Sequence, residues 1–142
     1  MKLFQMSSDG GKKSGVNGFF ICEFKNLFSV VLLKFNKGSR ENYHSHAFNA
    51  FTWFLKGLMT EHKLDGSTFT YSRSLRPKYT PRTNVHKVYA NKTSWALSIR
   101  GPWSETWYEF DPTTSEYILL SNGRKEISRS TKNDLSKGGV CG

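Results

Sequence analysis

Turn signals punctuate this chain about every eight to twelve residues, and the stretches between them are short, aromatic and β-branched, which confines the fold to many short strands. Lys25-Asn26 separates two apolar runs within residues 19–35, and Asn36-Lys37-Gly38 closes the second. A heavily aromatic stretch, 43–55, is interrupted at Lys56-Gly57 before a second run begins. Asp65-Gly66 then carries a strong hairpin signal. Residues 67–73 alternate polar and apolar, Pro77 and Pro81 bracket an irregular piece, and 85–89 and 94–100 read as two further strands. Past the Gly101-Pro102 turn, 106–110 and 116–120 form a last expected hairpin across Asp111-Pro112-Thr113-Thr114. No helical period of useful length is present outside the tail. The pattern predicts an all-β sandwich or barrel.

The 142 residues fit one domain. Aromatic residues make up 15% of them, which argues against a disordered chain. The longest apolar run, Leu27 to Leu33, falls far short of the ~18 residues of a membrane helix and reads as a buried strand. The opening stretch MKLFQMSSDGGKKSG has no continuous apolar core, so no secretory signal is expected there. With only Cys22 and Cys141, no disulfide framework is expected, and the expected location is the reducing cytoplasm. Neither cysteine has the His-paired context of a nucleophile. Residues 1–18 read as a loose lead-in, 19–123 as the β-barrel, and 124–142 as a polar basic tail.

Twenty-one basic and eleven acidic residues give a net charge of +10. No Asp or Glu occurs between Asp65 and Glu105, while Arg73, Arg76, Lys78, Arg82, Lys87, Lys92 and Arg100 all fall there. Such an interval suits either a solvated basic surface or a face that attracts an anion. No helix-turn-helix, zinc-finger or RNA-recognition pattern accompanies the charge, so nucleic acid is not the expected partner.

His44 and His46 lie two apart in a predicted strand and therefore point to the same side. The same parity carries Phe48, Ala50, Thr52 and Phe54, an apolar set that marks this side as the interior. Two buried imidazoles need partners, and at this spacing they can chelate one metal ion.

The run Gly38-Ser-Arg-Glu-Asn-Tyr-His44-Ser-His46, with Gly57 and the Asp65-Gly66 turn after it, resembles the first motif of the cupin superfamily. Pro81-Arg-Thr-Asn-Val-His86 resembles the second. The resemblance covers about residues 30–100. More narrowly, the stretches YHSHAFNAFTWFLKG, LRPKYTPRTNVHKV and RGPWSETWYEFDPTTSEYILLSNGRK are similar to small cupin-like proteins found in bacteriophage genomes. It implies a single jelly-roll β-barrel and one divalent metal ion held by His44, His46 and His86. Each motif departs from the pattern once. Ala50 and Phe51 stand where the first motif has a Glu ligand, and Thr83 stands where the second usually has Gly. Three neutral ligands keep the full +2 charge of an ion, which suits an anionic ligand. Resembling three-histidine sites favour Fe(II) over Zn, Mn or Ni, although imidazole suits several metals.

Glu61 is the acid nearest to the expected cavity, as a displaced ligand or as a general acid/base. His62 should face the opposite way. Arg73 shares a strand side with Phe69 and Tyr71, Arg82 lies inside the second motif, and Arg100 ends a strand. Arg73, Arg82, Arg100 and Tyr71 are the expected substrate-binding residues, an arginine clamping a carboxylate or phosphate. Tyr43, Phe48, Trp53, Phe54 and Tyr71 are expected aromatic walls. Trp95, Leu97 and Ile99 are expected to be structural, as are Trp103 and Trp107. The leading expectation is a metal-dependent cupin enzyme, an Fe(II) dioxygenase acting on an anionic small molecule. The alternative is a non-catalytic barrel that binds or sequesters such a molecule, for instance a nucleotide signal. A homodimer is compatible with exposed Trp residues and sheet edges.

Overall fold

A computed structural model describes residues 2–9, 15–38, 43–121 and 125–131. Among them are eleven strands and no helix: β1 (Lys2–Asp9), β2 (Val16–Phe24), β3 (Phe28–Phe35), β4 (Tyr43–His44), β5 (Ala50–Lys63), β6 (Thr68–Tyr71), β7 (Lys78–Thr80), β8 (His86–Arg100), β9 (Thr106–Asp111), β10 (Glu116–Ser121) and β11 (Glu126–Thr131). Among the described residues, no helix is long and apolar enough to cross a membrane.

Two long antiparallel strands, β5 and β8, organise everything else. Their register shifts between Phe54 and Met59, so each strand serves two layers. In the first layer, Ser94 to Arg100 of β8 pair with β3, which continues to β2 and β1, while the start of β5 pairs with β7. In the second layer, the end of β5 pairs with β6, and His86 at the start of β8 pairs with β4, which leads on to β9, β10 and β11. The ladder does not close among the described residues: it runs from β1 at one end to β11 at the other. The fold is the all-β, double-layered jelly roll expected from the sequence, opened at its edges.

Gly57 marks the bend. Its φ is +108°, a conformation that residues with a Cβ rarely adopt. A Cβ there would also lie 2.1 Å from Ser94 Oγ and 2.6 Å from Ser94 Cα. Ser94 Oγ fills the space instead, accepting from Leu58 N–H at 3.0 Å and lying 2.8 Å from Lys92 O. The extra residue changes the inward parity of β5. Ala50, Thr52 and Phe54 line the interior before the bend, Met59 and Glu61 after it. Two apolar clusters pack around the interior. One is Val16, Phe20, Val31 and Leu33 with Phe35, and the other is Ala47, Trp107 and Leu120 with Phe48, Trp103 and Ile118.

Several expectations are corrected. Residues 2–9 are not a loose lead-in but β1, paired along β2. β1 is an edge strand with mostly exposed side chains, so it has no alternating apolar signal to read. Within the expected tail, residues 126–131 form β11 against β10. Residues 124 and 132–142 of the tail, Cys141 included, and residues 39–42 of the first motif lie outside the described residues. The runs 85–89 and 94–100 are one strand. The polar Asn91-Lys92-Thr93 between them is exposed at the bend and only imitates a turn. The stretch 43–55 is not one strand: β4 ends at His44, and β5 begins at Ala50. Trp95, Leu97 and Ile99 face outward, because the even-numbered Ser94, Ala96, Ser98 and Arg100 are the buried side of β8.

Candidate metal centre and cavity

A cavity of about 350 Å³ lies between the two layers, and His44, His46 and His86 all line it. His44 and His86 are direct cross-strand partners on β4 and β8. His46 follows in irregular chain, fixed by its own N–H to Arg82 O at 3.1 Å and by Ser45 N–H to Tyr108 O at 2.8 Å. The three rings converge edge to face. Centroids are 4.8 Å apart for His44–His46, 5.1 Å for His44–His86 and 4.9 Å for His46–His86. One ligand atom from each lies within 4.8 Å of the others. The Nε2 atoms of His46 and His86 are 2.9 Å apart.

That geometry fits a metal ion. Two imidazole nitrogens each about 2.1 Å from one ion are separated by about 3.0 Å in octahedral and about 3.4 Å in tetrahedral coordination. Burial holds the His46 imidazole well below its ordinary pKa, and the nearby charges of His44, His86, Arg100 and Lys78 push the same way. Burial also lowers His86, partly offset by its hydrogen bond to Glu61. Both rings are thus kept neutral, the form that offers a lone pair to a cation.

Behind His86 stands Glu61, 1% exposed. Its Oε2 is hydrogen bonded to His86 Nδ1, which leaves the Nε2 of that ring directed at its neighbours. A carboxylate on the far nitrogen fixes tautomer and ring orientation and raises ligand basicity. Lys78 Nζ donates to the same oxygen at 2.6 Å, and the Tyr71 hydroxyl donates to Oε1 at 3.0 Å. Burial opposes the Glu61 charge, but the hydrogen bonds from His86 and Lys78 outweigh it and hold the carboxyl well below its ordinary range. Burial, the Glu61 charge and the hydrogen bond raise Tyr71. Tyr71 also stacks on Phe54, with centroids 4.9 Å apart and planes 11° apart.

The expected site residues separate into two groups. His44, His46, His86, Glu61, Tyr71 and Arg100 meet in the cavity, with Phe48 and Phe54 among its walls. Arg73 and Arg82 are exposed and do not line it. Arg73 lies beyond the end of β6, and it is the backbone of Arg82 that serves the site, through His46. Tyr43 and Trp53 likewise do not line the cavity. His62 faces away as expected, with its Nδ1 3.5 Å from Thr68 Oγ1. Arg100, 5% exposed, is paired with Asp9 at 2.7 Å and lies 4.7 Å from the Phe48 ring centroid. Lys78, Asp9 and Glu23 also line the cavity and were not singled out from the sequence. Lys78 was only one member of the acid-free interval.

No protein-family model matches the chain, and no curated protein matches it either. Solved structures do. A sugar phosphate isomerase from a cupin superfamily, from Silicibacter pomeroyi, superposes with a TM-score of 0.60 at 12% identity, covering 85% of this chain and 79% of that one. An RmlC-like cupin from Shewanella frigidimarina gives 0.55 at 17% identity, over 67% and 81%. Ectoine synthase from P. lautus gives 0.55 at 12% identity, over 68% and 70%. At these identities the likeness is one of architecture: the chain has the cupin fold, with a three-histidine group in the cavity between its layers.

Proposed function

We propose that this protein is a metal-dependent enzyme acting on an anionic small molecule, with Fe(II) as the metal and oxygenation as the chemistry. The observation that carries the reading is the convergence of three imidazoles, two with their Nε2 atoms 2.9 Å apart, one backed by a buried carboxylate. Ferrous iron, when bound there, supplies the redox capacity for dioxygen chemistry, and three neutral ligands leave room for substrate. The chain's own residues do the rest. Glu61 orients His86. Lys78 and Arg100 supply positive charge inside the cavity for an anionic group. Phe48, Phe54 and Met59 exclude water. Arg73 and Arg82 are given no contact with the substrate in this reading.

A second reading has one observation in its favour. All three hydrogen bonds to the Glu61 carboxylate come from neighbouring side chains, so it is not free as a general base beside the imidazoles. The barrel would then bind its anion, such as a nucleotide, without turning it over. Elemental analysis of untagged protein, with His86→Ala alongside, tests the metal. About one ion per chain in the wild type, lost in the variant, supports the enzyme. No metal even after anaerobic Fe(II) loading overturns it. If ligand affinity survives His86→Ala but not Arg100→Ala, the binding reading replaces it.

A second copy of the chain is the proposed occupant of the outer face of the first layer. Tyr79, Phe51 and Ile99 are cross-strand neighbours there, 52%, 46% and 38% exposed, beside the half-buried Trp53, Leu97 and Leu32. A continuous apolar surface over four strands marks an association site. Light scattering after gel filtration should give a dimer that Phe51→Asp converts to monomer, and a monomeric wild type refutes the assignment.

A further inference from the structure

Where it lines the cavity, β2 does something its sequence does not announce. Its register against β3 shifts between Phe20, opposite Val31, and Cys22, opposite Val30. Ile21 is the extra residue, and it is exposed. Such a bulge re-aims the side chains that follow it. Val16, Gly18 and Phe20 are buried before the bulge, and Glu23 takes the buried parity after it. Glu23 is 3% exposed and lines the cavity. Its carboxylate has no hydrogen bond or ion pair among the described residues, whereas Glu61 has three donors and Asp9 has Arg100.

Glu23 belongs to a transverse row. Lys2, Glu23, Ser29, Arg100, Ala50 and Thr80 are successive cross-strand partners over β1, β2, β3, β8, β5 and β7. Strands about 4.8 Å apart put Glu23 and Arg100 roughly 10 Å from each other, with Ser29 between. Among the described residues, three fully buried polar atoms in this region lack partners: Ser29 Oγ, Arg100 Nε and Trp103 Nε1. Buried polar groups are rarely left so. Here an acceptor and two N–H donors without protein partners occur together among the aromatic rings of Phe20, Phe48 and Trp103. A ligand cation is not what this end is built for. Lys2, Lys25 and Arg100 already supply three positive charges to the lining, against Asp9 and Glu23. The group that satisfies a carboxyl acceptor and neighbouring N–H donors without adding charge is a hydroxyl, which both gives and takes hydrogen bonds.

We propose that Glu23, with Arg100 Nε and Trp103 Nε1, is the specificity pole of the cavity and selects a substrate bearing hydroxyl groups on its carbon chain. This rests on the cavity being a small-molecule site, as in the reading above, but not on the metal. A site whose buried polar groups need a substrate hydroxyl rejects an analogue lacking it strongly, because those groups are then left unpaired.

The test uses metal-free full-length protein and two probes of equal chain length and charge, D-gluconate and hexanoate, by titration calorimetry. Gluconate should bind at least about 100-fold more tightly than hexanoate. Glu23→Leu should cut that ratio to below about 5-fold, and Glu23→Gln should cut it in part. Without ligand, Glu23→Leu should melt at or above the wild-type temperature, since it removes an acid without partners. Equal or tighter binding of hexanoate, no binding of gluconate at 50 mM, or a ratio unchanged in Glu23→Leu overturns the proposal. So does a Glu23→Leu protein that is folded but melts well below wild type, which would make Glu23 structural. His86→Ala should keep the gluconate preference. If that variant keeps it while the wild type takes up no metal, the metal reading has failed and this one has not.

Discussion

Replacing Gly57 with alanine probes the bend that makes the cavity. Two costs combine. A residue with a Cβ held at φ +108° carries about 1–3 kcal/mol of backbone strain. The added methyl would sit 2.1 Å from Ser94 Oγ and 2.6 Å from Ser94 Cα, so the β8 backbone, and not only a side chain, must give way. That displacement breaks the hydrogen bond from Leu58 N–H to Ser94 Oγ, and an orphaned buried donor costs about 1–3 kcal/mol. The sum is about 2–6 kcal/mol, a large share of the 5–15 kcal/mol typical of a domain. Gly66 supplies the internal control. Its φ is +88° and a Cβ there meets nothing within 4 Å, so Gly66→Ala should show the strain alone, about 1–3 kcal/mol. Urea unfolding followed by circular dichroism measures both. Gly57→Ala/Ser94→Gly should recover part of the loss, since the clash with the serine side chain vanishes while the strained φ and the crowding against the β8 backbone stay. Because the bend sets the inward parity of Glu61, Gly57→Ala should also weaken metal uptake. If Gly57→Ala costs no more than Gly66→Ala, the packing argument for the bend is wrong.

Glu61→Gln should lower metal affinity about 10–100-fold while leaving the three imidazoles in place, measured by competition with a chromophoric chelator; unchanged affinity would remove Glu61 from the site. Asp9→Asn leaves the buried Arg100 guanidinium without its ion pair and should destabilise by about 1–3 kcal/mol in urea, discounted because Asp9 is partly exposed to water. Tyr71 is raised from an ordinary value near 10 by burial and by Glu61, and Tyr108 by burial and Tyr117. Above pH ~10 the unfolded chain releases phenolic protons that the native state keeps, so stability should fall as pH rises further. Ultraviolet titration should show late-ionising tyrosines, one of which disappears in Tyr71→Phe.

The sequence announces strands where alternation and turn chemistry agree. The β2–β3 and β9–β10 hairpins and the Asp65-Gly66 turn fall where expected because their apolar runs are buried and their turns are local. The misread stretches share one cause. β1 is an edge strand with little to bury, and the exposed 91–93 stretch of β8 looks polar because it bends. The histidines were legible because strand parity and motif spacing agree at His44, His46 and His86. Even so, His46 reaches the site from irregular chain and not from a strand. Lys78, Asp9 and Glu23 were not legible. Their place depends on pairings between distant strands, and for Glu23 on a bulge at Ile21 that no turn residue marks.

The buried side of β8 has the same parity on both sides of its exposed bend at 91–93. His86 opens this strand and Arg100 ends it, and the buried side passes through Ala90, Ser94, Ala96 and Ser98 without a change of phase. The imidazole end and the guanidinium end of the cavity are therefore phased to each other by a single stretch of backbone. Losing or gaining one residue between them would turn one end outward while the other stayed in place. Length variation among descendants of this chain should thus collect in the turns at Asp65-Gly66 and Asp111–Ser115. Within β8 only paired insertions or deletions would be tolerated.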